Sequence, residues 1–210
     1  MNDWPLQGKK IAVLVESEFI PGEIEGYRYG FATLGAEVHF MSRLWGQPSQ
    51  TFVSDVEHPS ETAQTLTVTI DFQTVRLEDY AAVLMAANYT SVRLRYYEPP
   101  TGQTLTADGV TTAPAVQFFA AAMVNPRIVK GALCHGLWIL TPHPELLKGR
   151  RVICHQVVLA DVRNCGAEFV APDQDNGGVV VDRDLVTGHD WHVTRPYVQA
   201  IARQIATLPG

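Results

Sequence analysis

The stretch Ile128 to His143, IVKGALCHGLWILTPH, constrains the chain more than any other. Ile128 to Leu133 has the length and continuous apolar character of a short buried strand, and from Leu137 to Leu140 the apolar positions resume at a helical period. Cys134-His135-Gly136 therefore falls on a strand-to-helix corner, the layout of a nucleophile elbow. Such a corner pushes its central side chain out of the fold, and the N–H groups opening the next helix put partial positive charge beside it, which favours a thiolate. Ala132 and Gly136, two residues to either side of Cys134, supply the small neighbours a tight turn needs. A free cysteine is more often a small buried residue, so it is the context, not the residue type, that singles out Cys134.

Other short apolar runs set the fold. Lys9-Lys10 leads into Ile11 to Val15, uninterrupted as in a parallel strand covered on both faces. Pro21 in a first-turn position, then Ile24, Tyr27, Phe31 and Leu34 before Gly35, predict a helix. Glu37 to Ser42 predicts the next strand and completes a βαβ unit. Thr65 to Ile70 alternates like a half-exposed strand, and Ala81 to Ala87 is a further buried one whose end should open into the crevice of Cys134. Pro114 starts a helix with Val116, Phe119 and Met123 on one face. After the corner come a short strand at Arg151 to Cys154, a helix from Val157 to Cys165, and a hairpin of Val179 to Val181 with Leu185 to Thr187 around Asp182-Arg183-Asp184. Pro196 opens a closing helix. This order predicts an α/β fold, a three-layer α/β/α doubly wound, mostly parallel sheet of flavodoxin-like type. It is read as one domain over residues 1–210, with insertions at about 45–64 and 88–112.

Composition excludes several functions. A net charge of -6 and a pI near 5.6, with no basic run, argue against a nucleic-acid surface. Three cysteines without framework spacing fit a reducing compartment. MNDWPLQGKK lacks the layout of a signal peptide, and no apolar run is long enough to cross a bilayer, so the expectation is a cytoplasmic protein with no membrane partner. P-loop and GxGxxG motifs are missing from the sequence, and no cofactor is expected. His189-Asp190-Trp191-His192 invites a metal reading, but no third and fourth ligand stand at a convincing spacing, so no metal is expected and the segment reads as a polar, aromatic loop near the crevice.

The remaining candidates are loop residues. Glu16, Glu18 and Glu23 lie between the first strand and first helix, where a doubly wound sheet puts its ligand crevice. Glu23 occupies the first helical turn, a favourable place for a carboxylate whatever else it does, while Glu16 and Glu18 read as solvated loop charges. Tyr89, Tyr96 and Tyr97 with Arg93 and Arg95 are either a clamp for an anionic or aromatic ligand or a subunit contact and plain surface. Asn88, Tyr89, Trp138 and His189 are candidates for contacting substrate. Cys154-His155 repeats the Cys-His pair, but Gln156 and Val157 follow where an elbow wants glycine, so Cys154 and Cys165 read as structural.

Ala132-Leu133-Cys134-His135-Gly136 on its corner, together with the first strand and the Phe19-to-Glu23 loop entering the first helix, resembles the ThiJ/PfpI superfamily. The resemblance runs from about Lys9 to Ala206. It implies the class I glutamine amidotransferase-like fold, shared by intracellular cysteine peptidases, glyoxalases and deglycases, isonitrile hydratases and chaperones. It further implies Cys134 as nucleophile, His135 as the neighbouring imidazole and an oxyanion donor through its N–H, and Glu23 as a protonated carboxyl hydrogen-bonding the thiol. Many members carry Gly-Gly where this chain has Ala86-Ala87-Asn88, so Ala87 could give an oxyanion N–H only if the turn needs no positive φ. The peptidase branch completes its triad with a partner-subunit Glu near the position held here by Ser91, with Asp190 or Glu98 as substitutes to consider. The expected function is a cysteine-dependent hydrolase/amidase or a glyoxalase/deglycase-type enzyme, acting on a small-molecule or peptide substrate as a homodimer or higher homo-oligomer. The alternative is a non-catalytic redox-sensing or stress-response protein with an oxidisable Cys134.

Overall fold

The structure, a computed structural model, describes residues 5–56 and 58–208; the first four residues of the segment read for a signal peptide lie outside it. The chain runs β1 (Lys10–Leu14), α1 (Pro21–Ala32), β2 (Glu37–Ser42), β3 (Gln50–Val53), β4 (Thr65–Val68), β5 (Ile70–Asp71), β6 (Ala82–Met85), α2 (Thr90–Leu94), α3 (Pro114–Val124), β7 (Val129–Leu133), α4 (Pro144–Leu147), β8 (Arg151–Val152), α5 (Leu159–Asn164), β9 (Glu168–Phe169), β10 (Val179–Asp182), β11 (Leu185–Gly188) and α6 (Thr194–Thr207).

The apolar runs become the middle of a seven-stranded sheet of order β10-β11-β7-β6-β1-β2-β5. Every residue of β6 and β7 is buried, which requires cover on both faces and explains why these strands show no alternation in sequence. Within this sheet the pairings are parallel except that of β10 with β11. The fold is thus the mostly parallel, helix-flanked doubly wound α/β sheet. From β1 the chain builds outward to β2, then returns to place β6 on the other side, so the switch point lies between β1 and β6. The carboxyl ends of β1, β6, β7 and β11 share one rim there, the edge at which such sheets bind ligands.

Helix α1 carries a row of glycines toward α6: a Cβ on Gly22 would come within 2.7 Å of the Trp191 ring, and one on Gly26 within 2.6 Å of Thr194. The row lets α6 and the turn before it close on the start of α1, where Glu23 sits. Beneath them Lys130 of β7 is fully buried. Its ammonium donates to the Asn125 carbonyl at 3.0 Å and pairs with Asp184. Arg150 joins Asp184 and Asp182, each at 2.8 Å. The hairpin turn Asp182-Arg183-Asp184 therefore neutralises a core lysine, a role its local sequence does not signal.

The stretch 45–64, whose few periodic apolar positions suit a loop or small hairpin and not a core element, contributes β3, which pairs antiparallel with β4. Other elements differ from the sequence expectation. The alternating run at Thr65 splits, so that β4 stays in the hairpin and β5 joins the edge of the main sheet beside β2. Strand β8 pairs with β9, outside the main sheet. After the corner comes a five-residue 3-10 helix, Gly136–Leu140, not an α-helix; Pro142 and Pro144 follow too closely for it to lengthen.

Candidate functional site

Cys134 follows β7 with φ 56°, in the left-handed region. A non-glycine residue pays about 1–3 kcal/mol for that conformation. It is held there because its N–H donates to the Gly188 carbonyl at 2.8 Å and its own carbonyl accepts from His155 N–H at 3.2 Å. Gly136 is favoured by space: a Cβ there would lie a tight 3.1 Å from the Met85 carbonyl oxygen. The corner is thus a true elbow.

The thiol itself departs from expectation. Cys134 is only 7% exposed, and burial pushes its pKa up to about 12, with the charges of Asp190 and Glu23 adding to the rise. The backbone N–H groups of Asn88 and His135 pull the other way without prevailing. The expected thiolate at a helix start is therefore corrected to a neutral thiol, because one turn of 3-10 helix carries little dipole and desolvation dominates.

Glu23 is fully buried. The Ala87 N–H donates to both of its oxygens, at 2.9 and 2.8 Å. Desolvation raises its pKa to about 8, against the pull of the neighbouring Tyr27 and of Ala87, so the acid is protonated at neutral pH. Among the described residues no hydrogen bond joins this carboxyl to the Cys134 sulfur, although Glu23 lies within electrostatic reach of the thiol.

The Ala87 N–H is committed to Glu23, which corrects its reading as an oxyanion donor. The left-handed residue of this turn is the next one, Asn88, with φ 64°, a conformation Asn tolerates better than Ala. The Asn88 side chain donates to Asp55 at 2.7 Å, while its backbone N–H is turned toward the Cys134 thiol.

His135 is 7% exposed, and burial with the adjacent His155 pushes its pKa down to about 4. Its Nε2 lies 3.2 Å from His155 Nδ1, while its Nδ1 is buried without a hydrogen-bond partner. Ser91, in the position of the expected partner-subunit Glu, donates to the His135 carbonyl at 3.1 Å and fixes the turn. The rings of Tyr89 and Trp138 flank the imidazole, with centroids 5.3 and 5.2 Å away. The His189 ring lies 6.2 Å from that of His155. Asp190 is partly buried, which raises its pKa, but the His192 N–H and imidazole outweigh that and hold it below the usual carboxylate range. Its charge reaches both Cys134 and His135, whereas Glu98 is exposed.

The structure thus gathers Cys134, His135, Glu23, Asn88, Tyr89, Trp138 and His189 at one rim and adds His155, which the sequence reading set aside. No local pattern marks His155; only the return of the chain after α4 brings it to the elbow. The proposed clamp does not assemble as a group. Arg93 is paired with Glu18 at 2.9 Å and Glu16 at 3.5 Å, so these carboxylates are ion-pair partners and not simply solvated charges. Arg95 donates to Thr141 at 2.7 Å, and Tyr96 is 61% exposed.

A doubly wound sheet with a cysteine elbow at its carboxyl rim and a buried glutamate beside it defines a recognisable class of α/β protein. The chain belongs to the DJ-1/PfpI family, whose sequence profile matches residues 100–204. Among solved structures it is similar to a two-domain protein from Anabaena variabilis with DJ-1/ThiJ/PfpI-like and ferritin-like domains, at 19% identity and TM-score 0.73, covering 96% of this chain and 50% of that one. It is also similar to a ThiJ/PfpI domain protein from Brachyspira murdochii, at 14% identity and TM-score 0.68 over 97% of this chain and 99% of the other. Drosophila melanogaster DJ-1beta gives 14% and 0.66 over 95% and 91%. At these identities the likeness is one of fold. The chain thus spans half the length of the Anabaena protein and nearly all of the other two. No curated protein sequence matches the chain. Among the described residues no helix is long and apolar enough to cross a membrane.

Proposed function

We propose that the protein is a cysteine-dependent enzyme of the glyoxalase/deglycase type, with Cys134 attacking a small carbonyl electrophile such as a 2-oxoaldehyde. The observation that carries this reading is the burial, at one rim of the sheet, of a thiol and a carboxyl that desolvation holds in their neutral forms at pH 7. A carboxylic acid can accept the S–H proton on one oxygen while giving its own proton to the carbonyl oxygen from the other. Sulfur then bonds to carbon, the C=O becomes C–OH, and no net charge is created in a dry site. The Ala87 N–H, touching both Glu23 oxygens, keeps the carboxyl in plane for that exchange. His135, neutral above its low pKa, can then move the proton from the thiohemiacetal carbon to the adjacent carbon while the thiohemiacetal hydroxyl proton passes to the neighbouring ketone oxygen, so that C–OH becomes C=O and C=O becomes CH–OH. The resulting thioester takes up water, which releases a 2-hydroxy acid and restores the thiol.

The nearly sealed sulfur favours a small molecule over a peptide, and Ser91 takes the place the peptidase triad would need. A peroxide-sensing role is disfavoured by the same burial, since oxidation follows thiolate character and exposure. The reading includes a reducing, cytoplasmic setting, in keeping with three free buried cysteines, and a homodimer or higher assembly. The test is turnover of methylglyoxal to lactate by the wild type, Cys134→Ala and Glu23→Gln. Loss of at least about 100-fold in both variants, with the fold intact, is the expected result; turnover that survives in Cys134→Ala overturns the proposal.

A further inference from the structure

A cavity of about 520 Å³ opens at the carboxyl end of β2, and neither Cys134, His135 nor Glu23 lines it. Its size is that of an ordinary small-molecule pocket. Its polar wall is unusual. Ser42 is fully buried and its hydroxyl has no hydrogen-bond partner among the described residues; the same is true of Nε and Nη1 of Arg43. Buried polar atoms are costly to leave unpaired, so three at one cavity mark a place where a ligand's groups belong.

The charges decide what kind of ligand. Arg93 at the cavity wall is already paired with Glu16 and Glu18. Among the described residues Arg43 has no carboxylate partner, and its guanidinium is held over the Trp45 ring at 4.9 Å. One unsatisfied cation beside one carboxylate suits a single negative charge and disfavours a phosphate dianion, which Glu16 would repel. Apart from Gln50, whose side-chain amide donates to the Leu44 carbonyl at 3.3 Å, the remaining wall, including Trp45, Phe72, Val92 and Leu94, is apolar or aromatic.

We propose that this cavity binds a small monocarboxylate with an apolar body, its carboxylate on Arg43 and the Ser42 hydroxyl and its body against Trp45, Phe72 and Leu94. The site is separate from the cysteine elbow and does not depend on the function proposed for it. Charge-assisted hydrogen bonds to guanidinium are the strong ones, so the carboxylate should carry most of the affinity.

The test titrates the full chain by calorimetry with benzoate, phenylacetate and hexanoate, and with benzamide, phenylacetamide and hexanamide as neutral isosteres. At least one acid should saturate below about 10 mM, bind at least about tenfold more tightly than its amide, and resist competition by inorganic phosphate. Arg43→Gln should weaken it at least about tenfold, whereas Cys134→Ala should leave it unchanged. Should Arg43→Gln fail to fold, the Arg43 Nε–H resonance of the wild type provides the readout and should shift on binding. No saturation by any acid, equal affinity for acid and amide, an effective phosphate competitor, or a silent Arg43 resonance overturns the proposal.

Discussion

The Ala87 amide donates to both carboxyl oxygens of Glu23, at 2.9 and 2.8 Å. This one contact ties the end of β6 to the first turn of α1. It gives Glu23 a fixed orientation within electrostatic reach of the Cys134 thiol and leaves the duty of facing the sulfur to the next amide, that of Asn88.

Glu23 and His135 should set opposite limbs of the stability curve. The folded pKa of Glu23 is raised to about 8, so the folded state holds a proton the unfolded chain has released; its stabilisation is full below about 4.5 and is lost as pH rises through 8. His135, depressed to about 4, contributes stability that is present above about 6.5 and lost as pH falls through 4. The two dependences offset each other between about 4.5 and 6.5, so a Tm profile should be flat there and fall on either side. Glu23→Gln should flatten the alkaline limb and His135→Asn the acid limb; a variant that leaves its limb unchanged contradicts the assignment.

Alkylation should report a neutral thiol. With Cys134 pushed up to about 12, its rate of reaction with iodoacetamide should still be climbing at pH 9, since the thiolate is the nucleophile. A plateau near pH 6, followed by mass spectrometry on the Cys134 peptide, would show a low-pKa thiolate and favour the redox-sensing alternative.

His155 should act as a positioning residue for His135, whose Nε2 it meets at 3.2 Å. Removing it as His155→Ala takes away one cause of the lowered His135 pKa, so that pKa should rise toward its usual value. Turnover should fall about 10- to 100-fold, with the effect in kcat and in its acid limb rather than in KM. An unmoved His135 titration, followed by NMR, would reduce His155 to a packing residue.

Asp184 should be among the costliest surface-proximal residues to change. Asp184→Ala leaves Lys130 buried without its carboxylate, a loss of about 3–5 kcal/mol, whereas Arg183→Ala, an exposed neighbour in the same turn, should cost under about 1 kcal/mol. Urea unfolding of the two variants gives the comparison directly; equal small losses would mean the ion cluster is not coupled to the core.

The sequence by itself determined the sheet and the corner. Continuous apolar runs such as Ala82–Met85 and Val129–Leu133 can be buried on both faces only in a covered parallel sheet, and Cys134 followed two residues later by glycine leaves little else than a tight turn at a strand end. Those are local constraints, carried by side-chain period and steric size. What only the tertiary structure decided is what surrounds the sulfur. Which amide Glu23 would occupy, that His155 would meet His135 from 20 residues away, that Arg93 would close on Glu16 and Glu18, and that the thiol would be neutral all depend on desolvation and on contacts between distant segments. Burial and pairing are properties of the assembled rim, and no run of neighbouring residues encodes them.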